Sequence, residues 1–330
     1  MDKPMLTIVV PCFNEEEVLK DTFSQLSAML ENLLVELLIS EKSKLLFVDD
    51  GSKDSTWKLI ENESEKNHLV TGVKLSRNTG HQNALLAGLE TATTQSDCVI
   101  TIDADLQDDI NAIPAFVEKF LEGYDIVYGV RDKRETDTFF KRNSALLFYR
   151  VMAKLGINLI PNHADFRLMS GRAIEELLKF KETNLFLRGL VPLIGFNSTK
   201  VYYNRKDRMA GESKYPLKKM LAFAFDGITS FSIAPVRFVT FLGFLAMGIS
   251  AIAGGYALIQ DILGHTESGW TSLILSIWFV GGLQLLGIGL IGEYIGKIYH
   301  EVKRRPRYAI EKDLFTFSVR EQDPQETVLK

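Results

Sequence analysis

Asp103 and Asp105, in the run VITIDADLQDD that starts at Val99, are the side chains best suited to chemistry. They follow an apolar strand-like segment, and in an extended chain residues two apart face the same way. Two carboxylates with a nearby amide oxygen, Gln107, suit a hard cation such as Mg²⁺ or Mn²⁺. Such ions take oxygen ligands and leave room for water or phosphate oxygens. A diphosphate that departs from carbon develops negative charge, and a metal bridging its oxygens stabilises that charge. Three other apolar runs end in similar polar clusters: Pro11-Cys12-Phe13-Asn14-Glu15, Asp49 to Ser55, and Ser76 to His81. Each alone is an ordinary turn or helix cap. Four converging on one sheet edge would make a site.

The elements behind these clusters alternate. Strands are expected at Leu6–Val10, Leu45–Val48, Val70–Leu75, Cys98–Ile102 and Ile126–Tyr128. Helical spacing of apolar residues runs from Glu15 to about Leu34, and over Ser55–Glu63, Gln82–Glu90 and Ile113–Leu121. Strands apolar on both faces, alternating with helices, predict an α/β fold with a mostly parallel sheet covered on both sides. In such sheets ligands gather at the carboxyl ends of the strands.

The segments PCFNEE, DDGSKDST, LSRNTGHQNALLAGL, DADLQDD, ADFRLMS and RMAGESKY resemble the signatures of inverting family-2 glycosyltransferases of the GT-A fold. The nearest group is the polyprenyl-phosphate hexosyltransferases, which include dolichol-phosphate mannose synthases and bactoprenol glucosyltransferases. The match runs from about residue 5 to 215. The resemblance implies that Pro11, Asn14, Glu15 and Asp50 hold the base and ribose of a nucleotide-sugar. It implies a metal and diphosphate site at Asp103, Asp105 and Gln107, and places Asp165 and Arg167 beside the sugar. Arg208, Ser213 and Lys214 match a loop that closes over the diphosphate. Arg131, with Arg134 or Arg142, matches basic residues for the acceptor phosphate. Asp109-Ile110 stands where the pattern usually has Pro, which alters a turn and removes no ligand.

The run from Arg131 to Arg150 mixes six basic residues with Phe139, Phe140, Leu146, Leu147, Phe148 and Tyr149. Such a mixture suits a phosphate head with a lipid tail, though an amphipathic surface helix would look the same. The implied reaction is inverting transfer of a hexose, glucose or N-acetylglucosamine, from a UDP-sugar to undecaprenyl phosphate. A GDP-mannose donor stays open. A processive polysaccharide synthase would carry a Gln-x-x-Arg-Trp signature and more spans, and no Arg-Trp pair occurs. A non-catalytic membrane scaffold or flippase partner would have no need of Asp103, Asp105, Arg208 and Lys214 together.

Phe238–Gln260 and Ser268–Gly292 contain no charged residue, and each exceeds the roughly 20 residues that cross a hydrocarbon core. Lys218, Lys219 and Arg237 precede the first, and Lys297, Lys303, Arg304, Arg305 and Arg307 follow the second. The connecting loop has only acidic charge. This pattern predicts a two-helix transmembrane hairpin in a plasma or inner membrane, with both termini cytoplasmic and Tyr256 and Trp270 near the outer interface. The expected division is a cytoplasmic catalytic domain over 1–215, an amphipathic juxtamembrane helix over 216–235, two spans within 236–300, and a poorly ordered cytoplasmic tail over 301–330.

The 330 residues carry a formal charge of −4, which lacks the basic excess of a nucleic-acid binder. Cys12 and Cys98 have no metal-ligand or paired spacing and read as buried thiols. Met1-Asp2-Lys3-Pro4 leads straight into a strand with no charged-then-apolar leader. Of the histidines, His81 and His163 sit beside motifs, with capping or core roles as good an account as ligation. The resemblance is compatible with a homo-oligomer, a tetramer included, which the sequence itself does not show.

Overall fold

A computed structural model of the chain describes residues 3–132, 160, 163–182, 186–204, 234–264 and 269–316. These separate into two compact units. One holds the described residues up to 204 together with 305–316; the other holds 234–264 and 269–304.

The first unit is built on an eight-stranded sheet: β1 (Leu6–Cys12), β2 (Lys44–Asp49), β3 (Val70–Leu75), β4 (Cys98–Thr101), β5 (Ile126–Arg131), β6 (His163–Ser170), β7 (Ser198–Tyr203) and β8 (Ile310–Asp313). Their order is β7-β5-β6-β4-β1-β2-β3-β8. β1, β2, β3 and β4 run parallel, as do β5 and β7, while β6 is antiparallel to β4 and β5, and β8 to β3. This is the mostly parallel α/β fold expected. β1, β2, β4 and β6 are buried at every residue, as strands covered on both faces must be.

Helices α1 (Leu19–Val35), α2 (Thr56–Lys66), α3 (His81–Thr93), α4 (Ile113–Leu121), α5 (Gly171–Leu178) and the single turn α6 (Leu187–Leu190) belong to the same unit. Leu19, Phe23, Leu26, Leu30 and Leu33 recur at helical spacing along α1 and are all buried, which is why that segment lies against the sheet. Gly88 in α3 brings backbone close to β1: a Cβ there would stand 2.3 Å from Val9 Cγ1. Gly51 has φ +67°, and an added Cβ would meet the Arg77 carbonyl carbon at 2.5 Å, so only glycine fits that turn.

Chain order reverses beside β1: β2 and β3 lie on one side and β4 on the other. The crevice beyond the carboxyl ends of β1 and β4 is therefore the topological switch point, where open α/β sheets bind ligands. Asn14 and Asp103 follow those two strand ends.

The sequence pattern does not predict β6, β7 or β8 as strands, and β8 lies where a poorly ordered tail is expected. The sequence predicts a poorly ordered tail over 301–330, yet Ile310–Asp313 extends the sheet beside β3, and Leu314 N–H donates to Gly72 O at 2.8 Å. Lys74 pairs with Glu311 at 3.1 Å and Lys312 with Glu61 at 2.9 Å. Phe315 is only 1% exposed. Charges on both sides of an edge strand hide it from an apolar pattern search, and they also discourage edge-to-edge aggregation.

The second unit contains α7 (Ala234–Ile262, 29 residues) and α8 (Trp270–Val302, 33 residues). Phe241, Leu245, Ile252, Leu285 and Leu286 are all more than half exposed on them. Within α8, Phe279–Val302 is long and apolar enough to cross a membrane; Pro235–Ile249 is a shorter apolar stretch. The expected juxtamembrane helix lies outside the described residues apart from its last two.

Phe315→Ala should lower the stability of the catalytic unit by about 3 kcal/mol, the cost of emptying a buried aromatic site. Denaturant unfolding of the full chain checks this. An unchanged midpoint would mean that the tail does not join the sheet.

Candidate active site

Asn14 adopts φ 55°, a left-handed conformation that short polar residues tolerate, and this turns the chain sharply after β1. Its N–H donates to Ser52 Oγ and its Oδ1 accepts from Lys53 N–H, both at 2.9 Å. Glu15 N–H donates to Thr56 Oγ1 at 2.9 Å. The turns after β1 and β2 are thereby fastened into one wall, behind which Pro11 is buried in β1. Asp50 Oδ1 accepts from Thr79 N–H at 2.7 Å and Thr79 Oγ1 at 2.9 Å, and its Oδ2 accepts from Gly80 N–H at 2.9 Å. Asp50 thus braces the start of α3.

β4 ends at Thr101, and Asp103–Leu106 is a turn with Leu106 at φ 45°. The extended geometry expected to align Asp103 with Asp105 therefore does not apply, since the alternation of faces stops with the strand. Within the turn Asp105 is still among the charges that act on Asp103. Asp105 Oδ1 accepts from Gln107 N–H at 3.3 Å, and Thr22 Oγ1 anchors Ala104 O at 2.7 Å. Burial pushes the Asp103 carboxyl up to about 6; His81 opposes this, and Asp165, Asp108 and Asp105 add to it.

Because β6 runs backwards, its first residues reach the edge where β4 and β5 end. Asp165 stands there, 7% exposed, with Arg167 two residues further in and 1% exposed. Arg167 Nη2 donates to Asp165 Oδ1 at 3.0 Å. Arg188 on α6 donates from Nη2 to Oδ2 at 3.1 Å and from Nε to Oδ1 at 3.4 Å. His81 Nε2 lies 3.6 Å from both Asp165 Oδ2 and Asp103 Oδ1. Burial alone would raise the Asp165 pKa, but His81, Arg188 and Arg167 hold it well below the usual carboxylate range. This carboxylate is a fixed anion and not a proton acceptor at neutral pH.

Arg131, at the end of β5, donates from Nη2 to Asp108 Oδ1 at 3.2 Å, and Tyr203 Oη at the end of β7 donates to the same oxygen at 2.7 Å. The edge therefore changes from acidic at Asp103 and Asp105 to basic at Arg131 and Arg188. Arg134, Arg142, Arg208, Ser213 and Lys214 lie outside the described residues.

Residues 7–178 match the family model described as glycosyl transferase family 2. The chain belongs to that family. It is similar to the uncharacterized glycosyltransferase YkoT of Bacillus subtilis, with 65% identity over 313 residues, covering 95% of this chain and 93% of that one. It is also similar to the SfII prophage-derived bactoprenol glucosyl transferase of Shigella flexneri, with 40% identity over 309 residues, covering 93% and 97%. Among solved structures it resembles a glucosyl-3-phosphoglycerate synthase from Mycobacterium tuberculosis at 19% identity, covering 68% and 76% with a TM-score of 0.46, too remote to inform the chemistry.

In this family 2 glycosyltransferase, no group of three or more His, Cys, Asp or Glu side chains among the described residues is arranged to hold a metal. Two carboxylates and an amide are a smaller set, but one that fits a hard cation completed by phosphate oxygens and water. Burial chiefly raises the Asp103 carboxyl, with neighbouring carboxylates adding to it, and a cation there would offset both. His81 and Arg188 were absent from the expected site. The sequence leaves His81 open between a cap and a phosphate ligand; the N-cap position is Gly80, and the imidazole faces two carboxylates. Arg188 had no motif around it, and only the antiparallel course of β6 brings it a partner.

Asp165→Asn would leave the buried Arg167 without its counter-charge, at a cost of about 3–5 kcal/mol in unfolding free energy. A carboxylate with a depressed folded pKa contributes fully above its unfolded value near ~3.9 and loses that contribution as pH falls through the folded value. Asp165 also raises the His81 pKa, a contribution present at low pH and lost as pH rises, so the deficit should be larger at pH 6 than at pH 8. A variant as stable as the parent would show that the clamp is not structural.

Proposed function

We infer that the protein transfers a hexose, glucose or N-acetylglucosamine, from a UDP-sugar to undecaprenyl phosphate with inversion at the anomeric carbon. The observation that supports this reading is the acidic-to-basic run along one sheet edge. It offers carboxylates for a cation-bound diphosphate next to guanidiniums for a second, acceptor phosphate. The bactoprenol glucosyl transferase named above, as a relative, supports the acceptor class.

Pro11, Asn14 and Glu15 frame the base and ribose, with Asp50 acting through the loop it braces. Asp103, Asp105 and Gln107 would hold Mg²⁺ or Mn²⁺, which when bound supplies neutralisation of charge on the diphosphate. The acceptor phosphate is ionised at neutral pH, so attack needs no strong general base. One phosphate oxygen forms the new bond to the anomeric carbon while the bond to UDP breaks, and UDP leaves with the electron pair. Asp165, fixed and ionised, orients the sugar, and Arg167 fixes Asp165. Arg131, with Arg134 or Arg142, seats the acceptor phosphate; Arg208, Ser213 and Lys214 close over the diphosphate.

A lipid acceptor calls for a membrane address. At 1.5 Å per residue both α7 and α8 exceed the ~30 Å hydrocarbon thickness, and the basic residues flanking them favour a hairpin with both ends cytoplasmic.

Asp105→Ala should reduce metal-dependent transfer by about a hundredfold or more, as loss of charge stabilisation at a departing group does elsewhere. Initial rates at saturating Mg²⁺, with thermal unfolding as a control for folding, measure this. Full metal-dependent turnover in the variant would remove the carboxylate pair from the mechanism.

A further inference from the structure

Arg188 is the one outward side chain of a buried turn. Its neighbours Leu187, Gly189 and Leu190 are buried, and Leu187 N–H is tied to Gln82 Oε1 at 3.1 Å, next to His81. The turn is thus rigidly placed at the start of α3, yet Arg188 is 41% exposed while Asp165 beside it is 7% exposed. Of the two arginines on Asp165, Arg167 is inside the protein and Arg188 faces the opening.

A single carboxylate does not require two guanidiniums. Arg167 already matches the charge of Asp165, and Arg188 approaches side-on through Nε and Nη2, with no hydrogen bond from Nη1 among the described residues. Beside it, Arg131 shares Asp108 with Tyr203, and its Nε is buried without a hydrogen-bond partner. Three guanidiniums therefore meet two carboxylates on this part of the edge, and Arg131 and Asp103 are among the charges that act on Arg188. Arg188 lies close to the proposed leaving diphosphate, and its guanidinium is a planar fork suited to phosphate oxygens.

We propose that Arg188 is a ligand of the acceptor phosphate, docked on Asp165 so that its outer N–H groups complete with Arg131 a seat for a phosphate monoester. This rests on the transfer reading above, because a bound donor and cation occupy the Asp103 side and leave the arginine side for the second anion. Asp165 sets the position of the guanidinium, which lowers the entropy lost when phosphate binds. The neutral polyprenol would gain nothing from Arg188.

The test is direct binding of undecaprenyl phosphate to the full-length protein in detergent micelles, with undecaprenol as the neutral control. UDP-glucose transfer is measured in parallel. Arg188→Gln should weaken binding of the phosphate lipid by about tenfold or more, the range for a lost hydrogen bond to a charged group. Undecaprenol binding and affinity for UDP should stay within about twofold. Arg188→Lys keeps the charge without the fork and should fall between; it also serves if the Gln variant does not fold. Unchanged phosphate-lipid affinity in the folded variants overturns the proposal, whatever the transfer assay gives. Equal losses for the lipid and its neutral control also overturn it, since that pattern marks a structural role. If the parent binds the phosphate lipid but transfers no sugar, the donor reading fails and the Arg188 assignment is still decided by the affinities. A parent protein that binds no phosphate lipid would sink both.

Discussion

A carboxylate buried as deeply as Asp165 cannot stay ionised alone, because desolvation of an unpaired charge costs far more than a domain can spare. Asp165 keeps its charge through Arg167 beneath it, Arg188 beside it and His81 above. These partners come from β6, α6 and the first turn of α3, so one anion joins three elements far apart in sequence. The antiparallel course of β6 makes this possible. Running with its neighbours, that strand would carry Asp165 towards the opposite edge of the sheet. Reversed, it delivers the residue beside Asp103, and the site's acidic and basic halves meet.

The other half of the edge is held differently. Around the switch point the wall is made of short polar side chains that satisfy backbone N–H groups: Asn14 and Ser52 across one gap, Asp50 with Thr79 and Gly80 across the next. Gly51 lets the second turn approach Arg77 at a distance no side chain would allow. Rigid loops at the ends of buried strands are what a transferase needs, since positioning of two anionic substrates supplies much of the rate.

Much of this was legible in the sequence, and the limits have physical causes. β1 to β5 are apolar runs bounded by polar clusters, so pattern and composition place them, and Asp103, Asp105 and Gln107 stand out by spacing. The segment Ala164–Ser170 reads as a motif and not as a strand, because its Asp and Arg interrupt the apolar pattern. Those same charges are affordable in a buried strand only because they pair with each other. β8 has three charged residues in four and becomes a strand through its partner β3. Arg188 and His81 gain significance from contacts separated by many residues, which no local window reveals. The Asp103–Asp105 pairing was expected for a geometric reason that the turn at Leu106 replaces.

The central claim is transfer of a sugar from a nucleotide to a lipid phosphate, and the most direct measurement follows labelled sugar into lipid. Purified protein in detergent, with undecaprenyl phosphate and Mg²⁺, would receive radiolabelled UDP-glucose, UDP-N-acetylglucosamine and GDP-mannose in parallel, and label entering the organic phase would be counted. Transfer from a UDP-sugar, abolished by EDTA, is the expected result. Protein that binds UDP yet moves label from none of the three donors would contradict it.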